Sequence, residues 1–333
     1  MAEPGQRASE PARRRGALAI ARIVLAVLVP AAVVVALVTN WADVEPHLRA
    51  VSPGALVLSV VAGLGAPVFT MLGWRVVLAD LGSPLPLPPA AGIFFVGQLG
   101  KFVPGSVWTV LAQAEIGSRL RIPRRRSAVA GLVSVGLSLL TGLAVGLPAL
   151  PLLLRRDDAR AVTVLVVLAI PVLALALHPR VLNAAVARGL RLLRREPLEH
   201  DLSGRAVATM AGWFLLAWAS AGASVAVLAR DLQPGIGIRD LGVSCICGFA
   251  LASAAGMLAV LLPAGLGVRD GLVVLLLGTI VPLPAATAIA VINRFVTTFA
   301  DVAFAGAGWA WARTHHLLGG TGEDQRPAVG PDA

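Results

Sequence analysis

The sequence predicts an all-α polytopic membrane protein, and three observations lead to this fold class. Hydrophobic residues make up 57% of the 333-residue chain, its mean hydropathy is +0.82, and only 14% of its residues are charged. Such a composition is typical of proteins that cross a bilayer several times. Apolar runs close to the ~20 residues needed to span the hydrocarbon core recur along the chain, and arginines cluster between them.

The apolar runs indicate one transmembrane domain over 17–312, with halves 17–154 and 161–312, and they leave no long polar segment for a separate soluble domain. The tails 1–16 and 313–333 are rich in Gly, Pro and charge, which predicts disorder. Six runs are predicted to be full transmembrane helices, at 17–39, 54–79, 127–150, 161–177, 206–229 and 285–312.

Lys101 is the only lysine in the chain and lies in a hydrophobic stretch. An ionisable side chain at membrane depth indicates a functional site. Pro104 and Gly105 interrupt a regular helix there, and irregular backbone at that depth needs cover from protein or a water-filled cavity. We therefore predict a re-entrant hairpin with arms 86–100 and 105–118. The alternative is a short interfacial loop in which Lys101 reaches toward water.

Arginine placement predicts the orientation in the membrane. The arginine-rich segments are the N-terminal tail, 119–126, 178–205 and 313–333. The arginine-poor loops are 40–53, 151–160 and 230–239. The first group holds 17 arginines and the second holds 6. The positive-inside rule assigns the first group, and with it both termini, to the cytoplasm. The first hairpin then enters and leaves on the cytoplasmic face.

A second broken segment is predicted over 241–282, interrupted by Pro263-Ala-Gly-Leu-Gly267 and placed on the outer face by the arginine count. The two halves resemble each other, as in Val77-Leu-Ala-Asp-Leu and Val227-Leu-Ala-Arg-Asp-Leu. The order helix, helix, hairpin, helix occurs twice, which predicts an inverted repeat of the kind found in secondary transporters. The first arm, 241–262, has 22 residues and is long enough to cross. Eight full transmembrane helices therefore remain the alternative.

Ten polar residues are candidates for a substrate-binding site inside the membrane. They are Gln98, Lys101, Ser106, Gln113, Glu115, Arg269, Asp270, Asn293, Arg294 and Asp301. Cations beside the N-terminus of a half-helix, and the fork of a guanidinium group, suit phosphate oxygens. The structural alternatives are ion pairs of Glu115 with Arg119, of Arg269 with Asp270, and across helices from Arg294 or Asp301.

The composition argues against several other functions. The net charge of +10 comes largely from arginines at predicted helix ends, which favour anionic lipid headgroups over nucleic acid. Cys245 and Cys247 lie in an apolar helix without a nearby His or Asp, so we interpret them as packing residues rather than metal ligands. The sequence has no phosphate-binding loop, no Ser–His–Asp constellation and no metal-spaced histidine cluster. We expect no cofactor and no enzymatic activity.

Several motifs resemble one known family. They are Gly100-Lys-Phe-Val-Pro-Gly-Ser-Val-Trp108, Glu115-Ile-Gly117, Leu262-Pro-Ala-Gly-Leu-Gly-Val-Arg-Asp-Gly271, Asn293-Arg294 and Asp301. With them, residues 17–312 resemble the lysylphosphatidylglycerol synthase transmembrane-region family, the flippase-like membrane half of the bacterial multiple-peptide-resistance factor, which also occurs as stand-alone proteins. The resemblance implies a multi-pass protein of the bacterial plasma (inner) membrane that moves, or helps to move, a lipid with a polar headgroup. The sequence contains no soluble aminoacyl-transferase domain, so we expect no synthesis of aminoacyl-lipid.

The leading functional hypothesis is a flippase or transporter for an anionic or aminoacylated phospholipid or a polyprenyl-phosphate-linked lipid. One alternative is a membrane-embedded lipid-modifying or glycosyltransferase-associated protein. Another is a non-transporting scaffold that binds a lipid-synthesis enzyme through its arginine-rich loops. The expected partners are membrane lipids and, in the scaffold alternative, that enzyme.

Overall fold

The computed structural model describes residues 34–35, 37–102, 107–153, 159–192, 194, 196, 198–259 and 262–315. Most of this part of the chain is helical, and no strand occurs in it. The predicted all-α fold class is confirmed. The N-terminal tail, residues 316–333 of the C-terminal tail and most of the predicted first helix, 17–39, lie outside the described residues.

Most described helices keep close to the predicted apolar runs, but a helix at Trp41–Ala50 lies in 40–53, which was predicted to be a loop. In chain order they are α1 (Trp41–Ala50), α2 (Pro53–Asp80), α3 (Leu87–Gln98), α4 (Trp108–Arg119), α5 (Arg124–Leu153), α6 (Ala159–Ala176), α7 (Pro179–Leu192), α8 (Gly204–Leu232), α9 (Ile238–Leu258), α10 (Val268–Leu277) and α11 (Leu283–Thr314). Five of them, α2, α5, α8, α9 and α11, are long and apolar enough to cross a membrane. The bent pair α6–α7 makes a sixth span if it is counted as one.

Two serine–aspartate clasps join the ends of α2 and α8. Ser52 and Ser203 cap the two helices, since each hydroxyl oxygen accepts an N–H of the first turn, at 3.2 and 3.1 Å. Ser52 also donates its backbone N–H and its hydroxyl to Asp231, at 2.7 and 2.8 Å. Ser203 donates to Asp80 in the same way, again at 2.7 and 2.8 Å. Because each aspartate lies at the end of its helix, α2 and α8 run antiparallel.

The first broken segment folds back on itself as a hairpin of antiparallel helices. Its arms α3 and α4 pack together, with Gly97 beside Gln113 and Gly100 beside Thr109. A Cβ atom at Gly100 would lie 2.5 Å from the backbone nitrogen of Thr109, so a glycine is needed for this approach. Each arm has 12 residues, or ~18 Å at ~1.5 Å per residue. Neither arm alone reaches across ~30 Å of hydrocarbon.

The second broken segment is also a hairpin, but its arms are unequal. α9 packs on α10, with Gly248 beside Leu276 and Gly256 beside Arg269. α9 has 21 residues and is one of the five candidate spans, whereas α10 has 10 residues. The long first arm agrees with the length that the sequence indicated.

Residues 178–205 contain a helix where the sequence analysis predicted only an arginine-rich loop. The prediction was wrong for α7, which meets the end of α6 at an angle of 67°. Leu182, Val186 and Leu190 recur every four residues along α7 and pack against the buried core, while its arginines are exposed. This spacing produces one apolar face on a helix, and it stabilises α7 against the bundle.

The two halves of the chain pack on each other through corresponding helices. α2 packs on α8, α3 packs on α11, and α9 packs on α5. Pro123 and Pro282 directly precede α5 and α11, so the long helix after each hairpin starts in the same way. One buried cluster surrounds Trp74 and Phe94, and a second surrounds Phe249.

Candidate functional site

A cavity of about 390 Å³ lies where the two hairpin breaks meet. The turn Leu99–Phe102, which follows α3, contacts the turn Pro263–Gly265, which follows α9. Residues of α2, α3, α4, α5, α8, α9, α10 and α11 line the cavity. Both halves of the chain therefore contribute to the same internal space.

The second hairpin break has a backbone that an ordinary helix cannot adopt. Ala264, Gly265 and Gly267 have φ values of 50°, 67° and 80°, in the left-handed region that favours glycine. A Cβ atom at Gly265 would lie 2.9 Å from the Cα atom of Gly256 in α9. This close approach packs the break against the last turn of α9. Arg269 is the second residue of α10, which follows the break, and it lines the cavity.

An ion pair joins the first hairpin break to α11. The Lys101 Nζ ammonium donates a hydrogen bond to Asp301 Oδ1 at 2.6 Å. The side chain of Lys101 is 35% exposed and that of Asp301 is 13% exposed, and both line the cavity. The ammonium also lies 5.6 Å from the ring centroid of Phe102, within the range of a cation–π interaction.

A second group of charges joins α10 to α11. Arg269 donates hydrogen bonds to Asp270 Oδ1 at 3.3 Å from both Nε and Nη2. Arg294 Nη1 lies 3.8 Å from Asp270 Oδ2 and donates to the carbonyl oxygen of Ala264 at 3.5 Å. One carboxylate is thus shared between two guanidinium groups. Arg294 and Asp301 both lie on α11 and line the cavity, so the two charged groups share one internal space.

The balance of these charges is positive. Among the described residues that line the cavity, the charged ones are Lys101, Arg269, Arg294 and Asp301. Including Asp270, the site has three cations and two carboxylates. A charge removed from water is costly unless it is paired. An anion is therefore the ligand that would balance the site.

Four residues that line the cavity also carry buried polar atoms without a hydrogen-bond partner in the described part of the chain. These atoms are Trp74 Nε1, Ser134 Oγ, Ser253 Oγ and Asn293 Nδ2. Buried polar atoms are nearly always paired in folded proteins. Leaving one unpaired costs about 1–3 kcal/mol, and four of the five residues with such atoms in the described part of the chain line this cavity.

The structure brings most of the predicted site residues together. Besides the charged residues, Gln98 and Asn293 line the cavity, and so does Gln113, which is only 2% exposed. Glu115 is not among the lining residues: it is exposed and pairs with Arg124, 2.9 Å away. Its pairing with Arg119 stays a prediction. Ser106 lies outside the described residues.

Sequence reasoning missed Trp74, Ser134 and Ser253. For the serine of α5 a signal was available, because Ser134 and Ser138 are four residues apart in an apolar helix and both line the cavity. The polar residues Asn293, Thr297 and Asp301 of α11 are also spaced four residues apart. Polar side chains at this spacing share one face of a helix. On α2, Thr70 and Trp74 have this spacing too and both line the cavity, so the same signal was available there.

The groups around the cavity are suited to binding. Lys101 and the two arginines offer only donors, whereas the hydroxyl and amide side chains both donate and accept. Within the described ranges, no group of three or more His, Cys, Asp or Glu residues has the arrangement of a metal site. Cys245 and Cys247 of α9 are free thiols.

The fold and the site define a multi-pass helical membrane protein with a positively charged internal cavity between two helical hairpins. The family model described as the lysylphosphatidylglycerol synthase TM region matches residues 19–305, and the protein belongs to this family. The resemblance that the motifs indicated is thereby confirmed. A comparison with curated proteins finds no significant match.

Proposed function

We propose that the protein moves a lipid with an anionic headgroup between the two leaflets of the bacterial inner membrane. The observation that carries this function is the charge of the cavity, where Lys101, Arg269 and Arg294 outnumber the two carboxylates. A headgroup that crosses hydrocarbon needs polar cover along its path, because charges are costly at membrane depth. Its acyl chains can stay in the surrounding lipid throughout.

An inverted repeat of the two halves supports this function. Each clasp joins the two halves. Ser52 of the first half bonds to Asp231 of the second, and Ser203 of the second half bonds to Asp80 of the first. Corresponding members are 151 residues apart in both cases, and the two helices run antiparallel. Inverted repeats with discontinuous helices are a common plan of secondary transporters, with the substrate site at the repeat interface. The cavity lies at that interface here.

The distribution of arginines supports a cytoplasmic position for one end of the bundle and for both termini. Arg126 donates to the carbonyl oxygen of Gly82 at 2.9 Å and pairs with Glu199, so 119–126 and the segment before α8 lie at the same end. This end is rich in arginine, and the positive-inside rule assigns it to the cytoplasm. The first hairpin then enters from the cytoplasm and the second from the opposite face.

A scrambling assay in proteoliposomes tests the proposed transport. Phosphatidylglycerol with a fluorescent acyl chain is bleached from outside with dithionite, and the protein should expose the inner-leaflet pool faster than protein-free vesicles do. Lys101→Gln and Arg269→Gln each remove one cation of the cavity and should slow this exposure about 10-fold, which corresponds to ~1.4 kcal/mol. If both variants transport at the wild-type rate, phosphate does not bind where we place it.

Arg124→Gln is the matched control for these variants. It also removes one positive charge, but Arg124 is 67% exposed and pairs with Glu115 outside the cavity. Its transport rate should equal that of the wild-type protein. A similar loss in all three variants would show that net charge, rather than the cavity, determines the rate.

A further inference from the structure

We infer that α7 is an in-plane membrane helix that docks on anionic phospholipids of the leaflet at the arginine-rich end of the bundle. Its surface lies outside the cavity, and its role does not depend on the proposed transport. Three features of α7 indicate this role: its direction relative to α6, the order of the faces around the helix, and the state of its arginines.

α7 does not continue across the membrane in the direction of α6. α6 has 18 residues, or ~27 Å at ~1.5 Å per residue. This length nearly matches the ~30 Å of hydrocarbon without any contribution from α7. The two helices meet at 67°. When α6 crosses the membrane, α7 therefore lies closer to the membrane plane than to its normal.

Two hydrogen bonds fix α7 at the arginine-rich end of the bundle. The Asn183 amide donates to the carbonyl oxygen of Leu202 at 3.0 Å, and its oxygen accepts the backbone N–H of Leu202 at 2.9 Å. Leu202 directly precedes Ser203, which caps α8 and bonds to Asp80 at the end of α2. Because α2 and α8 are both long enough to cross the membrane, α7 lies near the level of a membrane surface.

The side chains of α7 form three faces around the helix. The first face, described above, packs against the buried core. Beside it lie Val181 and Leu192, which are 38% and 85% exposed and eleven residues apart, about three helical turns. The third face carries the exposed arginines Arg180, Arg188 and Arg191. An exposed apolar side next to a basic side is typical of helices that lie in the membrane interface.

The arginines of α7 have no carboxylate partner within the described residues. At the same end of the bundle, the three arginines that begin α5 each pair with a glutamate. On α7, Arg191 Nε donates to the carbonyl oxygen of Ala187 in its own helix, at 3.3 Å, while Arg180 and Arg188 are exposed. Residues 159–195 include no Asp or Glu. We therefore place the anion that pairs with this face outside the chain.

A leaflet with anionic headgroups fits both exposed sides of α7 at once. Val181 and Leu192 enter the upper acyl region, and the guanidinium groups beside them reach the phosphate level, where each can bind two phosphate oxygens. The negative surface potential of such a leaflet also attracts arginines that lie near it. A soluble acidic partner would match the arginines alone and would not account for the exposed apolar side.

Depth measurements on the full-length chain in nanodiscs test the in-plane position. The chain has two cysteines, so Cys245→Ala and Cys247→Ala give a background for a fluorophore on Val181→Cys, Ala184→Cys or Leu192→Cys. Positions 181 and 192 are ~16 Å apart along the helix axis. Their depths, measured with lipids that carry a nitroxide near the headgroup or deep in the acyl chain, should differ by less than about 8 Å, and position 184 on the arginine face should be the shallowest. A larger difference, or a label at 184 as deep as the other two, would overturn the in-plane position.

The label on Leu192→Cys also tests the choice of lipid. Phosphatidylglycerol and phosphatidylcholine with the same brominated acyl chains are added in equal small amounts to phosphatidylcholine nanodiscs. Phosphatidylglycerol should quench at least about 3-fold more strongly, and this ratio should fall as the salt concentration rises. In the triple variant Arg180→Gln, Arg188→Gln and Arg191→Gln the ratio should drop below about 1.5, with unchanged quenching by phosphatidylcholine. Equal quenching by both lipids without these three substitutions would overturn the anionic class.

A second triple variant, Arg49→Gln, Arg230→Gln and Arg239→Gln, is the matched control. It removes the same number of positive charges from exposed arginines, but these lie at the opposite end of α2 and α8. The preference for phosphatidylglycerol at position 192 should stay at least about 3-fold. An equal loss in both triple variants would show that the net charge of the protein attracts the lipid, and it would overturn α7 as the docking surface.

Two other results would assign the exposed side of α7 to a protein. A label on Leu192→Cys that is quenched by aqueous iodide, and by neither brominated lipid, would show that this side faces water and awaits a soluble partner. Cross-linking of Leu192→Cys between two copies, without quenching by lipid, would assign it to a second copy of the chain. Either result overturns docking on lipid, and neither depends on whether the protein scrambles lipids.

Discussion

Replacing Asp80 or Asp231 by asparagine should destabilise the protein by the same amount at either end of the α2–α8 pair. Each carboxylate accepts two hydrogen bonds from an N-capping serine, and the distances are 2.7 and 2.8 Å in both clasps. Asparagine has nearly the shape of aspartate but replaces one acceptor oxygen by an NH₂ group. That group faces a donor, so one bond is lost and the remaining bond is no longer charge-assisted.

The size of the effect follows from these contacts. A hydrogen bond to a charged group contributes ~1.5–3 kcal/mol, and a carboxylate at a helix N-terminus adds ~0.3–1 kcal/mol. Both aspartates are half-buried, and solvent weakens these terms. We expect a loss of about 1–2 kcal/mol in each single variant. The clasps are separated by the length of a 28-residue helix, which is ~42 Å, so the double variant should lose about 2–4 kcal/mol by simple addition.

Denaturant unfolding of the purified chain in lipid–detergent micelles measures these losses. Asp201→Asn is the control, since it removes the same charge from an exposed aspartate close to Ser203; its effect should stay below about 0.5 kcal/mol. A difference of more than about 1 kcal/mol between the two clasp variants would refute their equivalence. A double variant no less stable than either single variant would refute the independence of the two ends.

Two other changes test the charged site and the second hairpin break. Lys101→Gln and Asp301→Asn should each destabilise the protein by about 1–3 kcal/mol, because their ion pair is only partly exposed. In a thermodynamic cycle, the double variant should be at least ~1 kcal/mol more stable than the sum of the two single losses predicts. If the two losses simply add, the ion pair does not stabilise the protein. Gly265→Ala should cost about 2–4 kcal/mol, since φ is 67° and the new Cβ would crowd Gly256. Gly271→Ala, at an exposed helical position with open space, should be neutral or stabilising in the same unfolding measurement.

The helices that cross the bundle could be predicted from sequence because length and apolarity suffice to define them. The bounds predicted for 54–79, 206–229 and 285–312 lie within a few residues of α2, α8 and α11. α7 was missed because its arginines suggested a loop. The repeat of Leu182, Val186 and Leu190 was present in the sequence, but an apolar face of three residues is visible only when helical spacing is tested inside a charged segment.

The charged residues of the candidate site could be predicted from the sequence, but the pairing of each cation with its carboxylate could not. Charged residues in apolar segments are conspicuous, so Lys101, Arg269, Arg294 and Asp301 were selected from sequence alone. Which cation faces which carboxylate depends on how the hairpins pack against α11, and local spacing carries no information about that. Ser253 is uninformative for a related reason: small polar residues are common at helix contacts in membranes, and only the cavity distinguishes this serine from the others.

The charged contacts of the two halves are not equivalent, although the clasps are. Counted from Pro123 and Pro282, the position of Asp301 on α11 corresponds to Gly142 on α5, and that of Arg294 corresponds to Val135. The clasps would therefore persist if the two halves of the proposed inverted repeat exchanged their conformations. The Lys101–Asp301 pair has no equivalent, so it forms only while the first hairpin packs on α11. A movement of that hairpin away from α11 must break the pair, whereas a movement of the second hairpin need not. This ion pair therefore contributes to the balance between the two conformations that the proposed transport requires, by stabilising the one in which the first hairpin packs on α11.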